Sequence, residues 1–527
     1  MRCFAYAIIY VYCLLFSGGV FAGKWELQPK LSVSETYFDN ITLASDESGQ
    51  KNKELVTQLI PGFTLSKQSR RLQISTDYSF GYIKYYGKEF SDRTYNRGSA
   101  SVNSELIRRH LFLNVNAAIS QQVVDPSRAF STSAAVVSNN QTETRTISLQ
   151  PRLNNRFARY ANSDLSYKYT IIDYSNSTLD SSQQSILQYN LNSGRWFKRS
   201  NWYVSISDTR STRSNASRAF LNARLDYEIS RHWKAFLMGR AQRNNYLQSI
   251  PGVSQYYINP EAGLIWTASR KLKMEVGGGA VLNPGDLSNK KITAEQTTWR
   301  AVVTIAPSKR TSMVFGRESA FYGDRKYFDM SLRTRRTSWS ANYSETLITP
   351  QQLRISSSLG SSGSALGGAT SSLGGGFGSS GFSSAGGGVS SGGALNRLDT
   401  NDVLLRKRLS ISSSISRRKV SLNANAFLDK GEYQTSKTQD KRYGASGGVV
   451  INLGRVMVLS NQASAQRYFF NNGSRADNIY SFNSTLSRQI RKNISTSLAY
   501  QWRKRSTTSA SVRYTAQQVI AKLDVTF

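Results

Sequence analysis

Apolar and polar residues alternate along most of this chain. In NARLDYEI, Ala223, Leu225, Tyr227 and Ile229 alternate with Asn222, Arg224, Asp226 and Glu228. DLSYKYTI sets Leu165, Tyr167, Tyr169 and Ile171 against Ser166, Lys168 and Thr170. LFLNVNAAIS places Leu111, Leu113, Val115, Ala117 and Ile119 on one face, and TDYSFGYI does the same with Tyr78, Phe80 and Tyr82. VSLNANAFL turns Val420, Leu422, Ala424 and Leu428 to the apolar side. A period of two with one wet face predicts half-buried antiparallel strands. Helical 3,4 spacing is almost absent.

Two architectures cover one face of such strands. A series of sandwich domains packs the apolar faces together, whereas a membrane barrel turns them to lipid and keeps the polar faces around a lumen. Opposed charges within one strand, such as Arg224 and Asp226, suit a watery lumen. The 28 Tyr, 23 Phe and 8 Trp, many near segment ends, suit interfacial aromatic belts. The connections favour the barrel. Short basic turns (SKQSRRL, LIRRHL, RWFKRSN, ISRHWK, RTRRTS, ISRRKV) alternate with longer polar stretches such as FDNITLASDESGQKNKE and VVDPSRAFSTSAAVVSNNQTE. About 11 short turns imply about 24 strands, within a range of roughly 18 to 24. The expected fold is all-β: an antiparallel transmembrane β-barrel over residues 23–527, with short periplasmic turns and longer extracellular loops. Pro29, Pro61, Pro151 and Pro260 are expected near strand starts, where a missing N–H is tolerated.

Two segments stand outside this pattern. Residues 1–22 join Arg2 to the apolar run FAYAIIYVYCLLF and then SGGVFA, which predicts a secretory signal peptide cut before Gly23. Both cysteines, Cys3 and Cys13, lie inside it, so the mature chain has no disulfide, thiolate metal site or cysteine nucleophile. Residues 356–394 are almost entirely Gly and Ser and fall on the extracellular side of the alternation. They read as a loose surface loop, as a constriction folded into the lumen, or as a contact with matrix polymer.

The net charge of +35 invites a nucleic-acid reading. Its distribution argues otherwise, and no nucleic-acid partner is expected. About 25 of the Lys and Arg fall in the short turns, and the remainder nearly balance the acids. The excess is a ring at one rim, represented by Arg70, Arg71, Arg108, Arg109, Lys198, Arg199, Arg270, Lys271, Arg335, Arg336, Arg417 and Arg418. At a periplasmic rim this ring would meet anionic headgroups, or draw an anionic polysaccharide.

Catalytic chemistry has little to stand on. The two histidines, His110 and His232, both fall in predicted turns without a His-x-x-x-His or nucleophile motif. No phosphate loop or calcium loop is present. The expectation is a non-enzymatic protein with no cofactor and no metal. A general porin or small-solute channel is one alternative, and an outer-membrane hydrolase is another.

The segment WELQPKLSVSETYFDNITLA carries P-x-L-x-x-x-E-x-Y-x-D-N on Pro29, Leu31, Glu35, Tyr37, Asp39 and Asn40. With the basic-turn hairpins and the terminal Phe527, it resembles the outer-membrane β-barrels associated with PEP-CTERM/exosortase systems. That resemblance implies a Gram-negative outer membrane reached by Sec-dependent export, and a pore or scaffold role linked to exopolysaccharide export and biofilm formation. The implied partners are outer-membrane lipids, exopolysaccharide and its export proteins. By resemblance to other barrels, VIAKLDVTF looks like the closing strand, with Leu523, Val525 and Phe527 as the signal read by the barrel-assembly machinery.

Overall fold

Twenty-four strands form one sheet in the computed structural model: β1 (Trp25–Phe38), β2 (Glu54–Gln68), β3 (Leu72–Tyr85), β4 (Arg93–Ile107), β5 (Leu111–Val123), β6 (Gln141–Phe157), β7 (Ala161–Tyr174), β8 (Ser182–Ser193), β9 (Ser200–Ser211), β10 (Ala216–Glu228), β11 (Trp233–Asn244), β12 (Tyr256–Ser269), β13 (Leu272–Ala280), β14 (Thr297–Ser308), β15 (Thr311–Ala320), β16 (Gly323–Arg333), β17 (Thr337–Ile348), β18 (Leu404–Ser416), β19 (Val420–Tyr433), β20 (Gln439–Asn452), β21 (Met457–Phe470), β22 (Arg475–Arg491), β23 (Ile494–Thr507) and β24 (Tyr514–Thr526). The structure describes residues 24–47, 51–125, 127–131, 133–175, 181–212, 216–245, 256–282, 297–320, 323–348, 404–434, 436–509 and 512–527. The expected signal peptide and the Gly/Ser segment lie outside them.

Each strand pairs antiparallel with its neighbour in sequence, and β24 pairs antiparallel with β1 from Lys30↔Thr526 to Phe38↔Gln518. The sheet is therefore closed, and no strand edge remains to be satisfied by lipid. In such an up-and-down barrel the connections alternate ends. The short basic turns share one rim with the start of β1 and the end of β24, and the remaining connections leave from the other.

The period-two pattern decides which way each side chain points. On β10, Leu225 and Tyr227 face outward, with Tyr227 49% exposed. Arg224 and Asp226, between them, face inward and pair at 2.7 Å. Leu27, Leu237, Val276 and Leu498 repeat the outward pattern, each more than half exposed. An apolar surface of this extent is unstable against water and stable against hydrocarbon. Rings mark its margins. Trp233 stacks with Trp266 and Tyr160 lies against Trp196 near the short-turn rim. Tyr443 and Phe469 pair near the long-loop rim.

The prolines depart from expectation. Pro61 and Pro151 lie inside β2 and β6, paired with Leu31 and Leu113, and not at strand starts. Only one ladder suffers. The β2–β3 register skips from Leu59↔Tyr82 to Gly62↔Ser79, and β6–β7 skips from Leu149↔Tyr169 to Arg152↔Ser166. The missing N–H falls on that side, while the other ladder runs on unbroken. Pro29 and Pro260 instead mark where ladders stop: β1–β24 begins at Lys30, and β12–β13 begins at Glu261.

Candidate functional site

Closure of the barrel creates the candidate site, a lumen walled by the polar face of every strand. Between β10 and β16 this wall is a continuous ion-pair network. Arg224 reaches Glu275 at 3.0 Å, Arg300 bridges Glu275 and Glu318 at 2.7 Å each, Arg240 holds Glu261 at 2.7 Å, and Arg325 adds to Glu318 at 3.3 Å. With Asp226, four arginines and four carboxylates are spread over these seven strands, so their charges cancel locally. The glutamate carboxylates of the network are buried in the wall, where desolvation offsets much of the attraction. Phe236 lies flat over Gly263 and Gly277, where any Cβ would collide with its ring. Glycine is required at both positions because the backbone and ring approach so closely.

The wall from β18 to β23 is different. Arg406 grips Asp429 through two hydrogen bonds, one at 2.7 Å. Arg442 is 2% exposed and stacks between Phe427 and Tyr468, 4.4 and 5.0 Å from their ring centres. Arg475 and Arg505 share the single carboxylate of Asp477 at 2.7 and 2.5 Å. Arginines outnumber acids here, and their spare donors meet backbone carbonyls of a loop.

That loop is the β5–β6 connection, residues 124–140. It folds into the mouth of the barrel from the long-loop end. Asn140 braces its base by donating to the carbonyls of Asp125 and Ala129. Arg93 of β4 donates to the Val136 carbonyl at 2.8 Å, and the Tyr85 hydroxyl of β3 donates to the Ala135 carbonyl at 2.9 Å. Ala135 and Val136 pack with Phe38, Ile41, Val56, Ile83 and Tyr514. The loop then crosses the β1–β24 seam. The Tyr514 hydroxyl donates to the Phe130 carbonyl at 3.0 Å, and Arg475 and Arg505 donate to the Ser127 carbonyl at 2.6 and 3.0 Å. Phe130 packs on Tyr468, Phe470 and Ile479, with the Arg503 guanidinium 4.4 Å from its ring centre. An arc of wall from β6 back round to β21 is thereby covered. The Gly/Ser segment, for which a constriction is one reading, lies outside the described residues; among the described residues, the loop that enters the lumen is this one.

The first connection contributes to the same arrangement. Asn40 exchanges hydrogen bonds with Ala44 at 2.9 Å and donates to the Thr515 carbonyl of β24. Asp39 accepts from the Gln517 N–H, and Asp46 from the Thr515 N–H and hydroxyl, both at 3.1 Å. Burial works against ionisation of Asp46, but the hydrogen bonds from Lys51 and Thr515 prevail and hold its carboxyl below the usual range. In the β3–β4 loop, the Tyr82 hydroxyl and the Tyr85 N–H likewise hold Asp92 low.

The residues singled out from the sequence fall as follows. Arg70, Arg71, Arg108, Arg109, Lys198, Arg199, Arg270, Lys271, Arg335, Arg336, Arg417 and Arg418 are all exposed and gathered on the short-turn rim. Lys67, counted with the turns, is instead buried and sits over Trp25. Leu523 and Phe527 face outward, Val525 pairs with Leu31, and the Phe527 N–H donates to the Pro29 carbonyl at 2.9 Å. His110 lies against the Asn154 and Asn155 oxygens and His232 against the Thr267 carbonyl, both on the short-turn rim.

Fold and lumen together define a transmembrane β-barrel. No family model and no curated protein matches the chain. Among solved structures it is similar to the siderophore receptor PirA from Pseudomonas aeruginosa, with 9% identity, a TM-score of 0.42, and 95% of this chain and 80% of that chain covered. It is similar to OccAB2 from Acinetobacter baumannii, with 8% identity, a TM-score of 0.34, and 95% and 98% covered. It is also similar to the outer membrane protein opdK from Pseudomonas aeruginosa, with 7% identity, a TM-score of 0.33, and 95% and 99% covered.

Proposed function

We propose that this chain is a non-enzymatic pore in the outer membrane of a Gram-negative bacterium, reached by Sec-dependent export, with the basic rim in the periplasm. The observation that carries the reading is the β5–β6 loop held across one side of a polar lumen by wall arginines and tyrosines. A wide closed barrel encloses water, and a tethered loop sets the bore without obstructing the membrane-spanning wall. The finer proposal is passage of an exopolysaccharide, as the resemblance at Pro29 to Asn40 implies. Recognition of the closing strand by the barrel-assembly machinery belongs with it.

Single-channel recording in planar bilayers tests both levels. Protein extracted from membranes should give steady conductance steps, and replacing residues 127–138 by a short Gly-Ser turn should enlarge them. An acidic polysaccharide should block the steps if the pore serves polymer export, and leave them unchanged if it serves small solutes. Absence of steps from protein that runs as a folded band would overturn the pore.

A further inference from the structure

The outward face of β18 to β21 carries a second set of cations, at the end opposite the basic turns. Lys407 of β18 is the direct cross-strand partner of Lys430 of β19, which is the direct partner of Lys441 of β20. Arg467 of β21 lies beside them, opposite Tyr443. All four occupy the lipid-facing parity of their strands, in line with Ile411, Ala426, Ala445 and Ala465 nearer the membrane centre. Like charges directly opposite on one face destabilise a sheet. Glu432 relieves part of this, accepting Lys430 at 2.7 Å and Lys407 at 3.5 Å, and Glu345 is the cross-strand partner of Lys407. Four cations against two carboxylates still leave an excess of positive charge. Lys441 and Arg467 are exposed and rest on interfacial rings, 5.8 Å from the Tyr443 centre and 4.9 Å from the Phe469 centre.

We propose that Lys407, Lys430, Lys441 and Arg467 form a binding site for the phosphate groups of a phosphorylated glycolipid in the outer leaflet. The inference rests on the outer-membrane placement given above. Three observations converge on this. The cations point at lipid, not into the lumen. They stand at headgroup depth, because the aromatic margin lies alongside them and the apolar band lies beneath. The positive charge that Glu432 and Glu345 leave uncompensated favours an anion from outside the protein, and ammonium and guanidinium groups both bind phosphate strongly. Acyl chains on the phosphorylated sugar would lie along the apolar strip below, which a free anion cannot do.

Native mass spectrometry of the full chain in detergent tests this. The probes are a bis-phosphorylated glucosamine glycolipid (lipid A), the same lipid stripped of phosphate, phosphatidylglycerol and inorganic phosphate. The phosphorylated glycolipid should remain bound through detergent exchange, and each other probe should bind at least about tenfold more weakly. The K441Q/R467Q variant should lose at least about tenfold in apparent affinity while keeping its heat-modifiable folded band. Equal retention of the stripped lipid or of phosphatidylglycerol would overturn the site. So would unchanged retention by the folded variant, or capture of inorganic phosphate in place of lipid. Should the double variant fail to fold, K441Q alone and the comparison of stripped with phosphorylated lipid decide the matter. Conductance reports on the pore separately: a conducting barrel that retains no glycolipid sinks only this inference, and a lipid-retaining barrel that never conducts sinks only the pore.

Discussion

Single residues hold the seam. Asp39 and Asn40, the last two positions of the sequence pattern that suggested a family, bond to the backbone of β24 at Gln517 and Thr515. They are remote in sequence from those partners and adjacent only because the barrel closes. Replacing Asn40 by Ala removes the amide contacts with Ala44 and Thr515. A loss of about 1–2 kcal/mol is expected, read as a lower temperature at which the folded gel band converts to the unfolded one. Asp46 gives the same seam a pH dependence. Its folded carboxyl titrates below the ordinary value of 3.8, so its contribution is complete above that value and disappears as pH falls through the lower one. Exchange protection of the Thr515 amide should therefore persist at pH 5 and fall in stronger acid. In Asp46→Asn, protection should not change with pH.

Strands and loops obey different rules. A lipid-facing residue near mid-strand answers to hydrocarbon: Leu237→Arg should destabilise the barrel by about 2–4 kcal/mol in urea titrations in bilayers. Its neighbour Met238 faces inward and is buried with Phe236 and Ile265, so it answers to side-chain packing instead. The β5–β6 loop answers to the wall. Phe130→Ala removes the ring that packs on Tyr468 and Ile479 and faces Arg503. Steady conductance should become noisy, with a larger mean, as the loop loses its far anchor. The strand count was legible from the basic turns because each marks one hairpin. The narrowing loop was not. Its sequence, VVDPSRAFSTSAAVVSNNQTE, is polar and small like any surface connection. What holds it inside are Arg475, Arg505, Tyr85 and Tyr514, which lie on four separate strands.

At the scale of the whole molecule, charge is distributed in layers. The exposed turns form a basic rim, the β10–β16 wall is neutral by pairing, and the β18–β21 exterior carries cations at the other end. The sequence suggested only the first of these, because counting residues in turns cannot reveal which strand positions share a height. Substituting Gln for Arg335, Arg336, Arg417 and Arg418 should weaken association of the barrel with anionic vesicles, by roughly tenfold or more at low salt and less at high salt. Flotation across a salt series measures this.

The chain by itself determined the alternation and the face each strand residue takes, because a two-residue period is a local property of the backbone. It also determined the absence of thiol chemistry in residues 23–527. Only the tertiary structure decided which loop enters the lumen, which arginines find acids and which find carbonyls, and which lysines stand side by side. Those outcomes depend on register between strands and on closure of β24 against β1, which bring together positions that no local pattern connects.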